Sequence, residues 1–263
     1  MIDLHCHVLP GIDDGPDDLD GSLAFAREAV ANGIEKIVAT PHVSWRYEND
    51  SATIAGGVER LRAELAAHDI ELELLAGAEV ALTRAPELAA AERSALRLGD
   101  SPWLLLEPPF SSVVLGLEEM VGELEDEGHR VLLAHPERCV AFHRDTRTLE
   151  TLVNGGALVS VTADSLVGRF GEQVRSFALE LLEAEMVHNV ASDAHDLNKR
   201  RPSIAAELER AGLAPLREWL TEAVPAAMLA GEARIPPRPP FAIAPAQRSR
   251  RSWWRRGPLR PAS

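Results

Sequence analysis

The chain has 263 residues, 46 % hydrophobic and 26 % charged, the profile of a globular protein with a core large enough for a whole (β/α) barrel. No run approaches the roughly 18 apolar residues of a membrane span, no secretory signal opens the chain, and Cys6 and Cys139 cannot build a disulfide framework, which suits a cytoplasmic protein. The net charge of −14 is uneven: residues 236–263 hold seven Arg and no acid, leaving 20 basic against 41 acidic side chains before them, which argues against a nucleic-acid groove.

The first expected strand, Ile2–Leu4, runs into His5 and His7. Side chains alternate along a strand, so these two share a side and Cys6 points away. The following loop adds Asp13-Asp14-Gly15. Leu19–Asn32 reads as a helix with Leu19, Leu23, Phe25, Ala26, Ala29 and Val30 near one face, stopped by Gly33. The second strand, Lys36–Ala39, leads to Thr40-Pro41-His42, and Ser51–His68 is a second amphipathic helix. The third strand, Glu71–Ala76 with continuation to Val80, delivers Gly77-Ala78-Glu79. The fourth, Trp103–Leu106, ends in Glu107-Pro108-Pro109, and the fifth, Arg130–Ala134, ends in His135-Pro136-Glu137-Arg138. The sixth is Ala157–Val161, followed by a helix over Leu166–Met186. The seventh, Val187–Ala191, ends in Ser192-Asp193-Ala194-His195, and a helix is expected over Pro202–Gly212. Composition assigns 1–232 to one domain and 233–263 to a disordered basic tail rich in Pro, Arg and Trp. In that tail Arg250, Arg251, Trp253, Trp254, Arg255 and Arg256 suit an anionic membrane surface.

Most of these strands are apolar without strict alternation, as strands buried on both faces are. Seven strand–helix alternations predict a parallel α/β barrel, closed or distorted, with a doubly wound open sheet as the competing architecture. Six of the seven strands place His, Asp or Glu at the carboxyl end, the face on which barrels build active sites. One histidine at a strand end is usually a hydrogen-bonded structural group. Five of nine are concentrated here: His5, His7, His42, His135 and His195, together with Glu79, Glu107, Asp193 and Asp14 or Asp13. Carboxylates gathered in one pocket repel one another and lose solvation unless cations neutralise them. The nitrogen and oxygen donors suit Zn, Mn or Fe, and their number exceeds what one ion can use, so two or three are implied. His68, His129, His143 and His188 default to surface or structural roles. Arg138, and Arg200 or its neighbour Arg201, follow the cluster closely enough to hold a phosphate bidentately. There is no phosphate-binding glycine loop, no Gly-x-Ser-x-Gly elbow, and no cysteine separated from an arginine by five intervening residues, Arg144 falling one place too early after Cys139.

The segments MIDLHCHVLPGIDDGPDD, ATPHVS, GAEV, LLLEPPF, LLAHPERC and VASDAHDLNKRRP resemble the PHP (polymerase and histidinol phosphatase) superfamily. Within it they look like the CpsB/CapC branch, metal-dependent protein-tyrosine phosphatases of bacterial capsule and exopolysaccharide synthesis. The resemblance runs from residue 1 to about 232. It implies a distorted (β/α)7 barrel, the PHP fold, with up to three metals, often manganese. Matched by segment, His5, His7, Glu79 and Asp193 would hold one ion, and Glu79 would bridge to a second shared with Glu107 and His135. Asp14, with Asp13 as competitor, would join His42 and His195 on a third. Arg138 and Arg200 match the family's phosphate-binding arginines. The implied reaction is attack of a metal-bridging hydroxide on the phosphorus of phosphotyrosine in a protein such as a bacterial tyrosine kinase, with His42 a candidate acid. Alternatives are a small phosphomonoester as substrate, or a non-catalytic scaffold of polysaccharide assembly. Apart from the resemblance, cysteine usage gives the cytoplasm as the expected location, and the basic tail adds an expected peripheral contact at the inner membrane face. The loop after His42, VSWRYENDS, and the Arg- and Trp-rich tail depart from the family pattern.

Overall fold

Parallel strands carry the framework of the computed structural model, which describes residues 1–242. The strands are β1 (Ile2–Cys6), β2 (Lys36–Ala39), β3 (His42–Val43), β4 (Glu73–Ala76), β5 (Glu79–Ala81), β6 (Trp103–Glu107), β7 (Arg130–Ala134), β8 (Leu158–Thr162) and β9 (Asn189–Ala191). They pair as a three-stranded sheet, β1-β2-β4, and a six-stranded sheet, β3-β5-β6-β7-β8-β9. Every pairing is parallel. Leu104, Leu105, Leu132, Leu133, Val159 and Val161 are all buried, which is why these strands read as apolar runs. The order follows the chain, without the reversal a doubly wound sheet carries at its switch point.

The second and third expected strands are each interrupted. β2 and β3 are separated by Thr40-Pro41, and β4 and β5 by Gly77-Ala78. Pro41 has no N–H to give a ladder. At Gly77 a Cβ would lie 2.7 Å from Val38 Cγ1, so only glycine allows this approach. The breaks coincide: Ala39 pairs with Ala76 before them and His42 with Glu79 after them. Both strands therefore bend together and carry His42 and Glu79 side by side into the second sheet. The two sheets also meet across β1 and the end of β9, where Asp193 N donates to His5 O and His7 N to Ala194 O, both at 2.9 Å.

Among the described residues, ten α-helices join or follow the strands: α1 (Leu19–Ala31), α2 (Ser51–Ala67), α3 (Ala90–Ala95), α4 (Leu117–Asp126), α5 (Val140–Arg144), α6 (Arg147–Gly155), α7 (Ala163–Leu166), α8 (Glu172–Glu183), α9 (Ala205–Arg210) and α10 (Val224–Leu229). Asp18 caps α1 by accepting from Gly21 N at 2.8 Å, and Asp50 caps α2 by accepting from Thr53 N at 2.7 Å. α2 buries Ile54, Val58, Leu61 and Leu65, the face its spacing predicts. The helix expected over Leu166–Met186 is instead broken between α7 and α8. Gly168 (φ 82°) and Gly171 (φ 96°) adopt backbone conformations that no α-helix contains. The helix expected over Pro202–Gly212 shrinks to α9. No helix among the described residues is long and apolar enough to cross a membrane.

The start of the tail is tied to the body. Arg130 donates to the carbonyls of Glu232 and Ala233, Trp219 Nε1 to that of Pro236 at 2.9 Å, and Arg238 Nη2 to that of Leu182 at 3.1 Å. The arginines and tryptophans expected at a membrane surface, Arg250 to Arg256, lie outside the described residues.

Candidate metal centre

Glu79, at the start of β5 and fully buried, is the hub of the site. Its Oε2 lies 3.2 Å from His5 Nε2, 3.4 Å from His7 Nε2 and 3.0 Å from His42 Nδ1. Its Oε1 lies 2.8 Å from His135 Nε2. Asp193 Oδ1 stands 3.5 Å from His5 Nε2 and 3.6 Å from His7 Nε2. Glu107 reaches within 3.9 Å of His135 and 4.0 Å of His42. Asp14 Oδ1 lies 3.4 Å from His42 Nε2 and 3.3 Å from His195 Nε2. All nine side chains singled out from the sequence thus come together. Cys6 faces the core, away from them, as alternation predicts.

The donors fall into overlapping groups: His7, Asp14, His42 and His195; His5, His7 and Asp193; His5, Glu79 and His135; His42, Glu79 and Glu107. His5, His7, His42 and Glu79 each belong to two, a denser sharing than three separate ligand sets. The backbone is bent to achieve this. His135 (φ 31°) and Asp193 (φ 51°) both sit in the left-handed region, at a cost on the order of 1–3 kcal/mol each. His135 N donates to Ser160 O at 2.8 Å and Asp193 N to His5 O, which holds both in place.

Geometry separates the residues that sequence left paired. Asp13 turns its buried carboxylate toward the outer nitrogen of His7, with Oδ2 2.7 Å from Nδ1, and it accepts from Gly15 N at 2.9 Å and His42 N at 3.1 Å. It orients a donor, whereas Asp14 stands among the donors. Glycine is required at 15, where a Cβ would lie 2.4 Å from the His7 carbonyl oxygen. Arg138 Nη1 donates to Asp193 Oδ2 at 2.8 Å, and Arg200 Nη2 approaches the same oxygen at 2.5 Å. Arg201 pairs with Glu28 instead.

The electrostatics suit cations. Glu79 Oε2, Asp193 Oδ1 and His195 Nε2 are buried and make no hydrogen bond, although each faces other donor atoms. Burial pulls the His7 imidazole down, but Asp13 and Glu79 outweigh it and raise it to about 9. Burial likewise opposes a charged His42, yet Asp14 and Glu79 push it up to about 11. Burial, then the Glu79 charge, lifts Glu107 to about 8. Burial lowers His135 and His195 to about 4, leaving both neutral at pH 7. Beside the ionised carboxylates of Asp14, Glu79 and Asp193, these shifts favour protons on His7, His42 and Glu107. Divalent ions would take their place, so the donor set fits metal.

A cavity of about 280 Å³ opens onto this cluster, lined by Asp14, His42, Glu79, Arg138 and Arg200 among others. Tyr47 and Phe110 also line it, and the sequence reading missed both. Tyr47 stacks on His42 with centroids 5.5 Å apart and planes at 9°. It is the sequence's single tyrosine, and it lies in the loop that departs from the family pattern. Phe170, hidden inside an expected helix, packs 4.4 Å from the Arg138 guanidinium, and Phe110 lies 4.5 Å from it. The sequence reading also passed over Glu137, which is buried and accepts from Thr162 N at 3.0 Å and Ser165 Oγ at 2.6 Å.

The family model for capsular polysaccharide synthesis proteins, CpsB/CapC, matches residues 1–211. The chain belongs to the CpsB/CapC family. It is 39 % identical over 201 residues to tyrosine-protein phosphatase YwqE of Bacillus subtilis, covering 76 % of this chain and 79 % of that protein. It is 31 % identical, with the same shares, to the putative tyrosine-protein phosphatase CapC of Staphylococcus aureus. A solved structure from the set of YwqE and the CpsB of Streptococcus pneumoniae, described as unique metal-dependent tyrosine phosphatases, superposes with a TM-score of 0.80. That match covers 92 % of this chain and 100 % of the other at 34 % identity. Family membership and the donor cluster thus arise from the same segments, His5 to His195.

Proposed function

We propose that this chain is a metal-dependent protein-tyrosine phosphatase of a capsule or exopolysaccharide system, acting on phosphotyrosine in a polypeptide such as a bacterial tyrosine kinase. The observation that carries this reading is the pair of guanidiniums, Arg138 and Arg200, converging on Asp193 Oδ2 at the edge of a nine-donor cluster onto which one cavity opens. Converging cations and two planar forks are what a dianionic phosphoryl group needs. The names of the relatives support the tyrosyl ester.

His5, His7, Asp14, His42, Glu79, Glu107, His135, Asp193 and His195 would hold two or three divalent ions, with manganese favoured and iron or zinc alternatives. When bound, such ions supply the Lewis acidity that makes water nucleophilic near neutral pH and offsets charge on the phosphoryl oxygens. Arg138 and Arg200 orient the phosphoryl group and neutralise its outer oxygens, held in register by Asp193. Tyrosine leaves with a pKa of about 10, so the departing oxygen demands little protonation; His42 is the candidate donor. Neither Cys6 nor Cys139 takes part.

The framework is read as a distorted seven-stranded barrel, supported by the hydrogen bonds from Asp193 N to His5 O and from His7 N to Ala194 O. Residues 1–232 form the catalytic domain. The location is cytoplasmic, with contact at the inner membrane face through the tail.

The test is hydrolysis of a phosphotyrosine peptide before and after chelation, beside a panel of small sugar and amino-alcohol phosphates. The reading expects metal-dependent turnover with the peptide preferred. Preference for a small phosphate would move the substrate class, and no turnover of any ester with metal restored would leave the scaffold alternative.

A further inference from the structure

Seven large hydrophobic side chains are exposed among the described residues, and five of them, Trp45, Phe110, Val113, Leu115 and Val140, lie in segments that follow strand ends. Strand order sets these segments side by side, because β3, β5, β6 and β7 are successive neighbours in the six-stranded sheet. Trp45 follows β3, Arg84 follows β5, residues 110–115 follow β6, and Val140 follows β7. Bonds between the loops join them: Trp45 Nε1 donates to Thr83 O, and Ala141 N to Ser111 O, both at 3.1 Å. Ser44, Arg46, Tyr47 and Phe110 also line the cavity, so the arc forms its rim.

Two features define what this rim meets. Leu115 is 82 % exposed, Val113 59 % and Trp45 58 %, and solvated apolar side chains carried on neighbouring loops beside a cavity mark an interaction site. The cations on the rim have aromatic neighbours: the Arg46 guanidinium stands 5.0 Å over Tyr47 and that of Arg84 4.7 Å over Trp45. Neither forms an ion pair among the described residues. On a chain of net charge −14, such cations complement an acidic partner. Glu118 and Glu119 open α4 just beyond Gly116, so acidic residues of a partner belong at the Trp45–Arg84 end and apolar ones at Val113–Leu115.

Resting on the phosphatase reading, we propose that this arc is the docking surface for the polypeptide that bears the phosphotyrosine. Its apolar side chains lie over Val113 and Leu115, and its acidic residues lie against Arg46 and Arg84. A free aryl phosphate needs only the cavity, whereas a polypeptide entering it must cross the rim.

The experiment compares wild type with a Val113→Ser/Leu115→Ser double variant, both loaded with manganese. One substrate is a phosphotyrosine peptide with acidic and apolar flanks, the other p-nitrophenyl phosphate. Both side chains are exposed, and an unchanged melting temperature checks that the variant is folded. We expect kcat/KM on the peptide to fall about tenfold, mostly through KM, with p-nitrophenyl phosphate unchanged within about twofold. Arg84→Glu should weaken the acidic-flanked peptide and favour a lysine-flanked one. Equal peptide kinetics in wild type and double variant would overturn the docking surface while leaving the phosphatase reading intact, and so would an equal loss on both substrates. Self-association of wild type that the double variant abolishes would assign the rim to a second copy and overturn it too. If manganese-loaded wild type hydrolyses neither substrate, the phosphatase reading fails and the rim loses its occupant.

Discussion

Asp13→Asn is the most informative single change, because it separates orientation of a ligand from ligation. The Asp13 carboxylate sits 2.7 Å from His7 Nδ1 and accepts from His42 N at 3.1 Å through Oδ2, and it accepts from Gly15 N through Oδ1. With Nδ1–H donated to Asp13, His7 keeps Nε2 free to face Glu79 and Asp193. An asparagine of the same shape retains the Gly15 bond, but its amide nitrogen cannot accept from the other two donors. Each orphaned buried donor costs about 1–3 kcal/mol, part of it taken up by repacking of the turn. The share that reaches the metal is about 10- to 100-fold in affinity, or about 1.4–2.7 kcal/mol. Calorimetric titration with manganese is the assay. Asp13→Asn should bind the same number of ions as wild type, more weakly, whereas Asp14→Asn should bind one fewer. Loss of an ion in Asp13→Asn, or wild-type isotherms for both variants, would refute the division of roles.

Arg138→Lys and Arg200→Lys should each lower kcat/KM about 10²- to 10³-fold, because an ammonium does not reproduce the planar fork, while Arg201→Ala stays within about threefold in the same assay. Burial lifts the Glu137 carboxyl to about 7 against hydrogen bonds from Ser165 and Thr162 that lower it. The folded state therefore keeps a proton that the unfolded chain releases near 4.5, and stability falls as pH rises from about 4.5 to about 7. Glu137→Gln should consequently melt with wild type below that window and above it at about pH 8, by up to roughly 3 kcal/mol, read by thermal denaturation at both pH values. Cys139 is buried with its thiol donating to Pro109 O at 3.2 Å, and burial pushes its pKa up. Cys139→Ser should keep turnover, and iodoacetamide should not inhibit, as progress curves would record.

Much of the site is legible from chain order because parallel strands gather their carboxyl ends on one face. His5 and His7 follow from alternation along β1, and His135, Asp193 and His195 from the ends of two apolar runs. The choice between Asp13 and Asp14 is not legible, since both sit in one turn and only its folded path decides which carboxylate faces inward. Arg200 and Arg201 present the same problem, resolved by the ion pair of Arg201 with Glu28 on the outside. The paired breaks at Thr40-Pro41 and Gly77-Ala78 escape a one-dimensional reading, because their effect depends on the register of neighbouring strands. Phe170 escapes for a related reason. The apolar spacing of 166–186 suits one helix, but Gly168 and Gly171 divide it and bring the ring against Arg138.

Anomalous diffraction at the manganese edge from crystals grown with that ion bears most directly on the central claim. Two or three peaks enclosed by the histidine and carboxylate atoms around Glu79, with Arg138 and Arg200 at their border, are the outcome predicted. A map flat in that cavity, or peaks held by other side chains, would contradict it.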